Sequence, residues 1–453
     1  MERFDVAVIG AGVTGVATAR RLALGGRRVV LLEKVADILS GASKANSALL
    51  HTGFDAPEGS LELRCMQQGY AEYMALHEAM NLPVLKTGAM VVAWTETQEA
   101  ALSDILAVAH RNGVTDARLV AKAEIRAQEP QLSPQVRAGV LVPGEYVIDP
   151  WSPFHGYAQD ILAAGASIRC RVEVTGGQFD GQFWQIETTV GPFRATSVVN
   201  CAGLFGDRID ALFLGRSNFT IKPRKGQFIV FDKAAAKLLS TIILPVPDAR
   251  TKGVVLTPTI FGNLLVGPTA EETEDRNRAT VTRPELKMLL QRASEILPAL
   301  RDMPVTATYA GLRPATEFKE YRIHHDPTLN WVTVGGIRST GLTASLGIAT
   351  YVAELLGIGP ALSPAAFTQM PNLAEHLPRD WQFPGYGEIV CHCEMVTRRE
   401  IEAALTNPFP PGDLGGLKRR TRCAMGRCQG FNCMGRIEEL TRGRLSPAIG
   451  LAQ

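Results

Sequence analysis

One run near the N-terminus constrains the fold more than any other part of this 453-residue chain. Asp5 to Ile9 reads Asp-Val-Ala-Val-Ile, a short apolar run of the kind that makes a buried parallel strand. It passes directly into Gly10-Ala-Gly12-Val-Thr-Gly15, then a helical stretch, Val16 to Leu24. A second apolar strand, Arg28 to Leu32, ends in Glu33. Strand, glycine turn, helix, strand and acid in that order form the dinucleotide fingerprint in its required context. Gly10 makes the tight turn, Gly12 lets the backbone approach a pyrophosphate, and Gly15 packs the helix against the sheet. The helix N-terminus stabilises the phosphate charge. Glu33 can accept hydrogen bonds from the ribose hydroxyls, and its charge argues against the extra phosphate of NADP.

The fingerprint serves FAD and NAD alike, and two features favour FAD. No second Gly-x-Gly-x-x-Gly follows, so the chain lacks the paired sites of a two-dinucleotide reductase. The segment from Ser40 to Asp55 is rich in small and polar residues, poor as a helix core and suited to lining a pyrophosphate and a flavin edge. Here the Lys44-Ala-Asn-Ser47…His51-x-Gly53 segment resembles the D-amino-acid-oxidase superfamily of flavoproteins, glycerol-3-phosphate oxidases and dehydrogenases first and L-2-hydroxyglutarate oxidases next. Val198 to Leu204 resembles the strand and turn that return to the flavin. Gly311-Leu-Arg313-Pro314 resembles the substrate-anchoring arginine motif, and Gly335 to Thr343 the last flavin loop, which leads into a helix, Ala344 to Leu356.

The resemblance implies an α/β fold: a Rossmann-like FAD-binding domain with an inserted sheet-based α+β substrate domain roofing the flavin. The FAD-binding domain is expected to be discontinuous, over 1–84, 151–214 and 311–370, with the substrate domain over 85–150 and 215–310. Strands such as Gly226 to Phe231, Val254 to Pro258 and Asn263 to Gly267, and a helix from Pro284 to Ile296, fall in the insertions. Residues 371–386, with three prolines and little periodicity, read as a linker to a Cys-rich domain over 387–453. The cofactor contacts implied are Gly10, Gly12, Gly15, Glu33, Ser43, Asn46, Ser47, Val174, Ala202, Gly203, Gly336, Gly341, Leu342 and Thr343.

Oxidising an alcohol carbon at a flavin requires loss of the hydroxyl proton, and a positioned base of near-neutral pKa is worth ~10²–10⁴-fold. His51 is the candidate, since it matches the superfamily's His-x-Gly position; His155, His324 and His325 carry no such motif and read as structural. An anionic substrate needs a fixed cation, and the planar fork of arginine grips a carboxylate or phosphate with two hydrogen bonds. Arg313 stands where the superfamily keeps that anchor and is assigned to catalysis and binding; Lys252 and Arg338 are weaker seconds. Ser47 and Ser339 are implied as donors to substrate or flavin.

Of eight cysteines, five (Cys391, Cys393, Cys423, Cys428, Cys433) crowd into the tail, which in a reducing compartment points to metal ligation rather than disulfides. Four thiolates from two separated pairs can hold a [2Fe–2S] cluster or zinc. Cys391-x-Cys393 is tight for a zinc knuckle. Thr421-Arg-x-x-Met-Gly-x-Cys428-Gln-Gly-x-x-Cys433 resembles the bacterioferritin-associated-ferredoxin-like [2Fe–2S] domain, which implies Cys391, Cys393, Cys428 and Cys433 as ligands. Cys423 departs from that pattern, as a spare thiol or a competing ligand. The basic run Lys418 to Arg427 reads as surrounding an anionic cluster or facing solvent, with docking of an acidic electron-transfer partner as the alternative.

These features lead to an FAD-dependent dehydrogenase acting on the CH–OH group of a small anionic metabolite, glycerol-3-phosphate first. Electrons pass from flavin to cluster and on to a quinone or an electron-transfer subunit, in an expected hetero-oligomer. A 2-hydroxy acid such as L-2-hydroxyglutarate, an amine or opine substrate, and a non-catalytic electron-transfer subunit are the alternatives. A net charge of +2 gives no reason to expect nucleic acid, and no run approaches the ~20 apolar residues of a membrane span. The N-terminus carries no export signal. The expected location is cytoplasmic, with the inner membrane reached only through a partner.

Overall fold

The computed structural model describes residues 2–247, 253–360, 364 and 366–449. Lys252, expected near the substrate, lies outside them. Four parallel strands organise the first sheet, Val29–Glu33, Glu2–Ile9, Phe193–Asn200 and Trp331–Gly335, with Ser167–Cys170 beside Val29–Glu33. Their carboxyl ends lie level, because Ile9 pairs with both Leu32 and Asn200 and Asn200 pairs with Thr333. The glycine turn, Glu33, the Ala202-Gly203 turn and the Gly336 loop therefore all emerge along one edge. That edge is where open α/β sheets bind ligands.

Beneath it the helices Val13–Leu24, Leu61–Leu76, Ser152–Ala163 and Gly341–Leu355 bury one large apolar core. Residues such as Val16 and Leu22 are fully enclosed, each contributing ~1.5–3 kcal/mol. Two glycines let the second and last of these helices touch backbone to backbone. A Cβ on Gly69 would sit 2.0 Å from the Thr343 carbonyl oxygen, and one on Gly347 would sit 2.2 Å from that of Cys65.

The second sheet has nine strands drawn from both expected insertions. Ala89–Ala93, Arg118–Ala121 and Ala138–Val142 join the later strands where Ile242–Pro245 runs parallel to Ala89–Ala93. Two boundaries differ from expectation. Gly311 to Arg313 close this second sheet, since Arg224 pairs with Arg313 and Lys225 with Leu312. Tyr146–Ile148 instead pairs with Leu49–Leu50 and Val84–Leu85, next to the flavin-loop segment.

The segment 371–386 is a packed strap rather than a loose linker. Leu373 and Ala374 are buried in the main core, Arg379 is buried against Glu400 at 3.4 Å, and Asp380 accepts from Thr397 Oγ1 at 2.6 Å. The Cys-rich domain then forms its own small core around Val390, Val396, Ile401, Leu417 and Ile437.

The basic run is also corrected. Arg419, Arg420 and Arg422 are buried, and the run packs against the rest of the molecule rather than facing solvent. Arg420 forks onto Asp37 at 2.7 and 3.1 Å. Arg419 donates to the Ile38 carbonyl at 3.0 Å and to Ser40 Oγ at 3.3 Å. Arg422 lies 3.8 Å over the Phe261 ring, and exposed Arg427 grips Asp232 at 2.8 and 2.9 Å. Asp37 is completely enclosed, so removing Arg420 would strand a buried carboxylate, at a cost of ~3–5 kcal/mol.

Candidate active site

At the nucleotide end, the backbone itself makes the cradle. Gly10 has φ +98°, and a Cβ there would lie 2.6 Å from the Cys201 carbonyl oxygen. A Cβ on Gly15 would fall 1.8 Å from the Gly10 carbonyl oxygen, so helix and turn meet without any side chain between them. Glu33 accepts from the Ala11 N–H at 2.8 Å, and burial pushes its carboxyl above the usual value. Ser43 reaches across the turn and accepts from the Val13 N–H at 3.0 Å, at the first residue of the helix. Glycine spacing, helix N-terminus, hydroxyl and carboxylate together fit the diphosphate and ribose of a dinucleotide.

Asn46 shapes the loop that follows: its Nδ2 donates to the Ser43 carbonyl at 3.1 Å, and its Oδ1 accepts from the Ala48 N–H at 2.8 Å. Ala202 lies beside Gly10, Gly203 follows it with φ +52°, and Gly336 turns at φ +69° ahead of the helix that begins at Gly341. Leu342 lies against the main core and Thr343 is buried within it. Val174 is buried in a separate apolar layer with Ile9, Leu32 and Val172. Ser47 is half-buried and Ser339 is exposed. Arg338 is turned to the Lys319 carbonyl, a loop-holding contact.

His51 follows the strand Leu49–Leu50 and is fixed from two sides. Its N–H donates to Thr343 Oγ1 at 3.0 Å, and its Nδ1 lies 2.8 Å from Glu145 Oε2. Glu145 is entirely enclosed and also accepts from the Thr52 N–H at 2.6 Å and Thr52 Oγ1 at 2.7 Å. A carboxylate accepting at Nδ1 places the imidazole proton there and leaves the lone pair on Nε2, the arrangement a base needs. Sequence reasoning missed Glu145. It lies 94 residues from His51 in a Pro143-Gly144-Glu145 turn, and no local pattern marks it. His155, read as structural, is buried; among the described residues neither ring nitrogen has a hydrogen-bond partner, and burial, then Arg420 and Arg419, hold its pKa well below the usual value.

Arg313 ends the strand Val305–Arg313, whose earlier residues rest on the flavin-loop segment. Tyr309 Oη donates to the Asn46 carbonyl at 2.7 Å, and a Cβ on Gly311 would lie 2.7 Å from Ala45 Cβ. Gly226 leaves room for the guanidinium, since a Cβ there would lie 2.6 Å from Arg313 Nη2. Half-buried Arg313 donates to the Thr269 carbonyl at 3.2 Å. Burial, with a smaller push from Arg224, lowers its pKa to about 10, which still leaves it cationic at neutral pH.

In the tail the thiols come in two pairs. Cys393 lies beside Cys428, and Cys391 beside Cys433. Among the described residues no three His, Cys, Asp or Glu groups close around a single-ion site. Two pairs suit a two-iron cluster that takes two thiolates per iron. Backbone N–H groups of Asn432 and Gly430 lie toward the Cys428 sulfur, while the Phe431 N–H donates to the Cys428 carbonyl at 3.0 Å, which makes the loop a nest for negative charge. Cys423 is enclosed beside Cys391 and Cys433, and burial pushes its thiol up to about 12.

Comparison with known proteins agrees with both halves. The family model for FAD dependent oxidoreductases (DAO) matches residues 5–355, and that for the BFD-like [2Fe-2S] binding domain matches residues 389–442. A glycerol 3-phosphate dehydrogenase of Caloramator mitchellensis is 30% identical over 96% of this chain and 93% of its own length. Subunit A1 of an anaerobic glycerol-3-phosphate dehydrogenase of Haloferax volcanii is 25% identical over 96% of this chain and 82% of that protein. Among solved structures, dithionite-reduced L-alpha-glycerophosphate oxidase from Mycoplasma pneumoniae with FAD bound superposes with TM-score 0.74. It is 27% identical, covering 82% of this chain and 98% of that one. No helix among the described residues is long and apolar enough to cross a membrane.

Proposed function

This chain belongs to the FAD-dependent oxidoreductase family, with a BFD-like [2Fe–2S] domain at its C-terminal end, and on that premise we propose that it dehydrogenates glycerol-3-phosphate. The observation that carries the reading is the full-span match to a relative named for that activity, cluster domain included. FAD, when bound, supplies the two-electron acceptor for the alcohol carbon, and the cluster carries electrons onward singly.

The chain's own residues do the rest. Arg313 grips the substrate phosphate and sets its orientation. His51, held by Glu145 through Nδ1, takes the hydroxyl proton at Nε2 as the carbon–hydrogen bond breaks. Thr343 fixes the His51 backbone, so the base does not swing with its loop. Ser47 lines the loop beside the flavin edge, and Lys252 is a second candidate cation for binding the phosphate. Cys391, Cys393, Cys428 and Cys433 hold the cluster. A cluster would be superfluous if oxygen took electrons directly from the flavin, which favours dehydrogenase over oxidase. The acceptor is a quinone or an electron-transfer subunit. The subunit designation of the Haloferax relative supports a hetero-oligomer, through which a cytoplasmic chain meets the inner membrane.

The test is the anaerobic absorbance spectrum of the holoenzyme before and after addition of sn-glycerol-3-phosphate. Bleaching of the flavin, with the cluster band fading alongside, is the expected result. An unchanged spectrum would retire this substrate and turn the search to 2-hydroxy acids and amines.

A further inference from the structure

The nucleotide-binding segment does not stand alone. Between Glu33 and Ser43 the chain runs through Ala36, Asp37, Ile38, Leu39 and Ser40, and it is tied at both ends to the glycine turn. Glu33 takes the Ala11 N–H and Ser43 the Val13 N–H, while the Leu39 N–H donates to the Ala11 carbonyl at 2.9 Å. The middle of this segment is held from outside, by the cluster domain. Arg420 forks onto Asp37, Arg419 reaches the Ile38 carbonyl and Ser40 Oγ, and the Gly412 N–H donates to Asp37 Oδ2 at 3.2 Å. The fit is close at the backbone as well. A Cβ on Gly412 would lie 1.9 Å from the Ala36 carbonyl oxygen, and one on Gly416 would lie 1.7 Å from Asp37 Oδ2.

The gripping residues sit on the helix Leu414–Thr421, seven residues before Cys428 at its end. That domain's small core includes Cys391 and Cys433, two residues assigned to the cluster. A domain of this size has little core to spare, and metal-binding free energy becomes folding free energy. Loss of the cluster therefore loosens the helix that carries Arg419 and Arg420, and with it the walls of the nucleotide cradle.

We propose that the FAD site is completed by the cluster domain, so that the chain binds FAD tightly only while its [2Fe–2S] cluster is in place. The coupling is reciprocal: bound FAD, by ordering residues 36–40, also helps retain the cluster. Assembly of the two centres is linked before any electron moves, and nothing in this depends on which substrate the enzyme oxidises.

The experiment needs no substrate. The FAD dissociation constant is measured by flavin fluorescence on the full chain, with its cluster intact and after anaerobic chelation of the iron. It is measured again on Arg420→Leu, with iron content determined in parallel. We expect cluster removal to weaken FAD at least about tenfold, within the usual range of such couplings. Arg420→Leu should weaken it likewise while still holding iron. Equal FAD affinity with and without the cluster would overturn the proposal. Should Arg420→Leu fail to fold, the comparison of loaded and iron-stripped wild type decides the matter alone. Failure of the glycerol-3-phosphate reading would leave this result untouched, because its readout is cofactor binding.

Discussion

Replacing Glu145 by Gln changes one atom and should disable the base. The carboxylate is enclosed and serves three groups: the Thr52 N–H at 2.6 Å, Thr52 Oγ1 at 2.7 Å and His51 Nδ1 at 2.8 Å. A Gln amide offers one acceptor oxygen and one donor nitrogen in the same space. The two Thr52 donors claim the oxygen, which turns the NH₂ toward His51 Nδ1. That nitrogen must then accept, so the imidazole proton moves to Nε2 and the base loses its lone pair where the substrate hydroxyl needs it. Positioned proton transfer contributes ~10²–10⁴-fold, or about 3–5 kcal/mol of barrier. Anaerobic stopped-flow absorbance, following flavin reduction by glycerol-3-phosphate, should therefore slow by about two to four powers of ten in Glu145→Gln. FAD content should match wild type, because the substitution does not touch the nucleotide cradle. A reduction rate within about threefold of wild type, with FAD bound, would refute both the tautomer argument and His51 as base.

Four further outcomes follow from the same geometry. Arg313→Lys should raise KM for the substrate about 10- to 100-fold with a smaller change in kcat, as the two-pronged grip becomes a point charge. In the wild type, the Arg313 pKa near 10 lies below its usual value, so the cation is complete at neutral pH and is lost as pH rises; KM should climb through about pH 10. Cys423→Ala should keep its cluster absorbance and iron, whereas Cys428→Ser should lose both, as iron and inorganic sulfide analysis would show. Gly69→Val should force apart two helices already in backbone contact, where its Cβ would lie 2.0 Å from the Thr343 carbonyl oxygen. Guanidinium unfolding should register a loss of about 1–3 kcal/mol or more.

The local features of this protein were legible in the chain. The glycine turn, its strands and Glu33 are set by short-range chemistry: a positive φ at Gly10, a backbone too close for any side chain at Gly15, and an apolar run with period-free burial. The pairing of a flavin fold with a Cys-rich [2Fe–2S] domain was equally readable, because the motifs that carry both resemblances are short and local. His51 and Arg313 could be picked out only through their motifs, and the reason they suit their tasks is tertiary. Glu145 comes from a turn 94 residues away to orient His51, and Gly226, on a neighbouring strand, makes the space for Arg313.

The basic run shows the limit most clearly. In sequence, a row of arginines near Cys428 reads as surrounding an anionic cluster, facing solvent or docking a partner, since charge alone says nothing about what will lie opposite. Folding brings enclosed Asp37 to Arg420 across 383 residues, and a buried carboxylate must find a cation. Local propensity and spacing thus determined the elements and the cofactor turn, and the Cys-rich tail was legible through its resemblance to a [2Fe–2S] domain. Only the packed structure decided which charges would be enclosed, and therefore which domain would hold which, because desolvation is a property of the assembled interior and not of any stretch of chain.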